Sequence, residues 1–140
     1  MAATGQRRKF AHAKNADGFA AGCVRIRPVP MKTASPEMQQ CIQNCLDCHK
    51  ICLGMALTHC LDMGGEHVAP DHFRLMILCA EICQTSANFL LSGSDLHKLT
   101  CGVCAEVCAR CADDCERVGD MDECVAACRR CAESCRQMAA

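Results

Sequence analysis

The sequence predicts an all-α protein, an up-down-up-down four-helix bundle with a Cys-lined core, on two observations. Cysteines recur at alternating steps of three and four residues in rows beginning at Cys41, Cys101 and Cys124; an α-helix turns once every ~3.6 residues, so each row falls on one face. Helix start and stop signals then divide the chain after residue 34 into four segments joined mostly by short turns, as antiparallel neighbours in a bundle require.

Ser35-Pro36-Glu37 opens the first helix, with Ser as N-cap, Pro at the first helical position and an acid in the first turn. It is expected to run to about Met63, where Gly64-Gly65 stops it. A loop through Pro70 leads to a second helix from about Asp71 to Leu91, closed by Gly93. Ser94 or Asp95 caps a third, which reaches about Val118 before Gly119. Asp120 restarts the chain with Glu123 three residues on, a capping-box arrangement, and the fourth helix carries to about Met138.

Two parts follow: a basic extension over residues 1–34 and a bundle over residues 35–140. Residues 1–35 carry a net charge of +6 and the remainder −7, so the arm is expected to be a solvated extension that pairs with the acidic body. It has no aromatic interleaving and no nucleic-acid module, which points away from a nucleic-acid partner. No run approaches the ~20 apolar residues that span a membrane. Arg7-Arg8-Lys9-Phe10 faintly resembles a twin-arginine signal, but no apolar region follows, and a cytoplasmic location is expected.

The core is unusual in composition. With 17 Cys, 8 Met, four Phe and neither Trp nor Tyr, much of the soft apolar volume is sulfur. Such a cysteine content in a short chain ordinarily signals a disulfide scaffold. Rows along single helices argue against that, because a bond within a row closes a loop of only a few residues and constrains little.

At ~100° per residue, Cys41, Cys45, Cys48 and Cys52 fall within roughly 60° of arc, as do Cys124, Cys128, Cys131 and Cys135. Cys101, Cys104, Cys108, Cys111 and Cys115 spread over about 80°. The second helix is poorer in sulfur, its face reading His72, Met76, Cys79, Cys83, Ser86, Leu90. Cys60 lies about 100° off the first row and is expected to flank the core. One end of the bundle gathers Met55, His59, Met63, His72, Met76 and Met121. Each alone reads as core filler or a helix-end surface residue; together they make Met55, His59, His72 and Met76 candidate ligands.

Thiols at i and i+3 or i+4 are neighbours on a helix, and metal–sulfur bonds of ~2.3 Å let one ion bridge two of them. That suits Cu(I), a soft ion content with two or three thiolates. Charge favours it over Zn²⁺: four thiolates on each zinc leave two negative charges per buried site, whereas about one Cu(I) per thiolate leaves the core nearly neutral. Cys45-Leu46-Asp47-Cys48-His49 matches a c-type haem attachment pattern but is embedded in a longer row. Iron–sulfur ligation wraps Cys in loops, unlike this helical period. No Glu-x-x-His pair suggests a di-iron bundle, and no catalytic constellation is present.

The repeated rows from Cys41, Cys104 and Cys124 resemble the four-helix-bundle copper storage proteins, over about Ser35 to Met138. The resemblance implies Cu(I) storage by core thiolates, several ions per chain, without catalysis. It further implies a homotetramer of bundles, with His or Met near the bundle mouth assisting entry; the absence of an apolar leader resembles the cytosolic branch. Zinc or general soft-metal sequestration is the alternative within metal binding. A thiol-disulfide redox protein is the alternative outside it, and would single out one or two cysteines of low pKa.

Overall fold

Ser35 begins the first helix as expected: its hydroxyl accepts the Met38 amide at 3.2 Å, and Pro36 takes the first helical position. A computed structural model describes residues 34–140, and Cys23 with nearly all of the basic arm lies outside the described residues. Helix α1 (Pro36–Met55) passes into a π-helical turn, Ala56–Cys60, and a last α-turn, Leu61–Met63. Gly64 and Gly65, at φ 65° and 57°, end it, in a conformation that costs glycine little.

The π-turn corrects the expectation for Cys60. A π-turn absorbs one residue more than an α-turn, which resets the rotation of everything beyond it by about 100°. Ala56 and Cys60 thereby continue the line of Cys52, and all three are fully buried.

A 3₁₀ turn, Gly65–Val68, precedes α2 (Pro70–Leu91). Pro70 is the first residue of that helix rather than the end of a loop, since a residue without an amide hydrogen is tolerated at that position. Helix α3 spans His97–Val118, and neither Ser94 nor Asp95 caps it. Ser94 instead builds the preceding turn, its hydroxyl accepting the Leu96 amide at 3.2 Å and its carbonyl the His97 ring at 2.7 Å. The expected capping box at Asp120 does not form either: Asp120 sits at φ 55° and α4 (Asp122–Ala139) starts two residues later. Asp122 and Glu123 occupy its first turn, where negative charge suits the helix dipole.

Helix α1 packs against α2 and α4, and α3 against the same two, so the four stand in a square with antiparallel neighbours. The centre is sulfur: sixteen cysteines of the described residues are buried and none is in a disulfide. Alanines fill the seams beside them, among them Ala80, Ala105, Ala112 and Ala132, each at most 4% exposed. Small side chains let helices approach closely, and each buried CH₂ adds about 0.8 kcal/mol. Polar contacts fix the register of α1. The His49 Nδ1–H donates to the Ala80 carbonyl at 2.8 Å and the Asn44 amide to Ser134 Oγ at 3.1 Å. His49 is thus a structural tie, and with Cys45 and Cys48 fully buried nothing in that segment presents itself for haem attachment. Among the described residues no helix is long and apolar enough to cross a membrane.

Candidate metal centre

Because the rows from four helices face one axis, their thiols meet in layers. From the end formed by the start of α1 and the end of α2, the first group is Cys41, Cys101 and Cys135. Next come Cys45, Cys104, Cys131 and Cys135, then Cys48, Cys83, Cys108 and Cys131. Cys48, Cys52, Cys79 and Cys128 follow, and finally Cys52, Cys111, Cys124 and Cys128. Within each group the sulfurs lie within 4.8 Å of one another. Each group shares at least one sulfur with the next, so the five form one connected ladder.

Close pairs cross every helix boundary: Cys45 to Cys135 at 3.5 Å, Cys52 to Cys79 at 3.9 Å, Cys83 to Cys108 at 3.4 Å and Cys115 to Cys124 at 3.7 Å. An ion with three ~2.3 Å bonds to sulfur holds them about 4.0 Å apart, so small movements suffice to admit it. The packed thiols divide in proton affinity: hydrogen bonds from Cys108 and its neighbours hold Cys48 and Cys104 well below the ordinary thiol value, while others are pushed up. Burial pushes the Cys60 thiol above its ordinary value, and hydrogen bonding to Cys104 and its neighbours, together with burial, pushes Cys83 up far more. Protonated thiols pack as small hydrophobes.

The ladder ends differently at its two limits. At the first, Ser86, Leu90 and Ile42 are at most 7% exposed and the Ser86 hydroxyl donates to the Thr100 carbonyl at 3.2 Å. At the other, thiols give way to a thioether and then to nitrogen donors. Met76 Sδ accepts from Cys115 at 3.3 Å and from Cys111 and Cys124 at 3.7 Å. Beyond it Cys60 Sγ lies 4.0 Å from Nε2 of His72, whose Nδ1–H donates to Asp114 at 2.7 Å.

His67, which the sequence reading did not select, completes this mouth. It lies in the 3₁₀ turn, 7% exposed, and donates from Nε2 to the Gly119 carbonyl at 3.1 Å. Its ring stands edge-on to both His59, at 5.2 Å between centroids, and His72, at 6.4 Å. His59 Nε2 is buried with no hydrogen-bond partner, an arrangement that leaves its donor or acceptor capacity unspent. A cavity of about 520 Å³ opens alongside, lined by Glu66, Asp71, His72, Asp114 and Arg117 among others. Burial would raise the Asp114 carboxyl, but hydrogen bonds from His72 and Arg117, with the guanidinium charge, hold it below the usual carboxylate range.

The remaining candidates fall as follows. Met76 and Met121 are buried, Met55 is half-buried against the core, and Met63 is 52% exposed. Cys60 belongs to no thiol group; its neighbour is the His72 ring. A sequence signal for His67 did exist, in three histidines between residues 59 and 72, but a Gly-Gly to Pro loop gives no period by which to place it.

The copper storage protein family model matches residues 34–140. An uncharacterized cysteine-rich protein of Bacillus subtilis, YhjQ, is 37% identical over 70 residues, covering 50% of this chain and 64% of its own length. Among solved structures, the Nmul_A1745 protein of Nitrosospira multiformis is 57% identical with a TM-score of 0.72, covering 74% of this chain and 94% of that one. A Cu(I)-bound copper storage protein, BsCsp3, is 36% identical with a TM-score of 0.67, covering 74% and 99%. The metal-free copper storage protein 3 of Bacillus subtilis is 37% identical with a TM-score of 0.62, covering 73% and 98%.

Proposed function

The chain belongs to the copper storage protein family, and on that footing we propose that it stores Cu(I), several ions at a time, on the thiolates of the bundle core. One observation carries this reading: five thiol groups joined by shared sulfurs. A protein that used one or two cysteines for redox turnover has no need of a connected ladder. A zinc store built of isolated tetrathiolate sites would avoid sharing ligands so freely, since each shared sulfur ties one site's geometry to the next.

The residues that hold copper are the core cysteines from Cys41 to Cys135. Entry is through the His59, His67 and His72 mouth, past Cys60 and Met76. The opposite end is packed with Leu90 and Ile42, and on the mouth side donors grade from nitrogen to thioether to thiol. The role is storage without catalysis. Sixteen unpaired thiols among the described residues suit a reducing compartment such as the cytoplasm. Leu57, Leu61, Leu78 and Leu99, each more than half exposed, support association of bundles, a tetramer being the assembly that the resemblance implies.

The test is an anaerobic titration of the reduced protein with Cu(I) against a chromophoric chelator, with Zn²⁺ in parallel. Tight binding to roughly one Cu(I) per core thiol, with Zn²⁺ stopping after a few ions, is expected. Saturation after one or two copper ions would overturn storage in favour of thiol chemistry.

A further inference from the structure

The His72 ring makes two contacts that together do more than join α2 to α3. Neutral imidazole has one N–H, and a carboxylate can only accept. With Asp114 Oδ2 2.7 Å from Nδ1, the proton is on Nδ1 and Nε2 keeps a bare lone pair. That lone pair lies 4.0 Å from Cys60 Sγ. One ion with a bond of ~2.0 Å to nitrogen and ~2.3 Å to sulfur spans this gap at an angle of about 135°, open enough for a third ligand. In the opposite tautomer a hydrogen would occupy the position of the ion.

Asp114 is itself held. Arg117 donates to its other oxygen, Oδ1, from Nε at 2.9 Å and from Nη2 at 2.7 Å, which leaves Oδ2 for the histidine. Arg117 also reaches Glu66 on the 3₁₀ turn at 3.4 Å. The His72 side chain is 1% exposed and Asp114 22%, so the pair sits where water competes weakly. Partners of this kind behind a ligating histidine fix its tautomer and orientation.

We propose that Asp114 is a positioning residue for copper uptake: its carboxylate fixes His72 as the Nδ1–H tautomer and turns Nε2 to Cys60 Sγ, presenting a preformed nitrogen–sulfur pair to incoming Cu(I). The inference rests on the entry reading above. It concerns the rate at which the core fills, not how much it holds.

Long-range ¹H–¹⁵N spectra of the metal-free protein read the His72 tautomer directly, and stopped-flow transfer of Cu(I) from a chelator complex reads loading. The Nδ1–H tautomer is expected in the native protein and a mixture in Asp114→Asn, whose amide can accept or donate. Asp114→Ala and Asp114→Asn should both load ten-fold or more slowly with final capacity unchanged; the near-isosteric Asn variant carries the test if Ala impairs folding. An Nε2–H tautomer in the native protein would overturn the inference. So would native loading rates in both Asp114 variants beside slow loading in His72→Phe, a result that leaves the entry reading standing. Native rates in all three variants would overturn the inference and the entry reading together.

Discussion

Cys52 Sγ lies 3.2 Å from Cys124 Sγ, a contact between α1 and α4 across 72 residues of sequence. It is far longer than the ~2.05 Å of a disulfide and shorter than the ~4.0 Å between sulfurs around a three-coordinate ion. Filling must therefore move these two sulfurs apart. A Cu(I)-loaded structure should show this pair widened to about 4 Å or more. An unchanged separation would mean that the two thiolates do not share an ion.

Shared thiols should matter more than terminal ones. Cys128 belongs to two groups and Cys101 to one. Copper analysis of the loaded Cys128→Ala protein should show a loss of about two ions, against about one for Cys101→Ala, since a doubly used thiolate supports two sites. Equal losses would show that the ladder is not shared in the way its geometry suggests.

Loading should acidify the solution. Burial and neighbouring thiols raise Cys60 and Cys83 above the ordinary thiol value, so at neutral pH both carry protons that metal must displace. The sign follows: lower pH opposes loading, by roughly ten-fold in affinity per pH unit for each proton released. A pH-stat during Cu(I) addition should record proton release as the raised thiols are occupied. No release would mean that the thiolates exist before the metal arrives.

Removing Thr58, an exposed residue of the π-turn, should return the first helix to regular α-geometry and keep Cys60 in the core row. Seven α-helical residues after Cys52 fall within about 20° of it, which is where the deletion would leave Cys60. Native-state alkylation should then still spare Cys60, and the melting temperature should not fall. Rapid modification of Cys60 would show that its burial depends on the π-turn for more than register.

Regular periodicity is what made this protein legible. Every position named on the second helix's inner face, from His72 to Leu90, is buried, and the three cysteine rows meet as their spacing requires. What escaped lies where the period breaks. The π-turn moves Cys60 by one residue's rotation, and no 3.6-residue count could include it. His67 comes from a loop whose path is set by Gly64, Gly65 and Pro70 rather than by a helix face. Ser94 and Asp120 looked like helix caps, but the preceding turn takes up the Ser94 hydroxyl and Asp120 sits at a positive φ two residues before its helix begins. Asp114 stands among Asp113 and Glu116 as one more surface acid until α2 brings His72 against it.

The packed end beyond Cys41 and Cys101 gives the store an order of withdrawal. With entry at the His72 end as proposed, ions seated deep move by stepping from one shared sulfur to the next past those nearer His72, so the last copper in is the first one out. Release to a chelator is then governed by position in the queue as well as by affinity, and a full bundle and a nearly empty one give up their first ion from different depths.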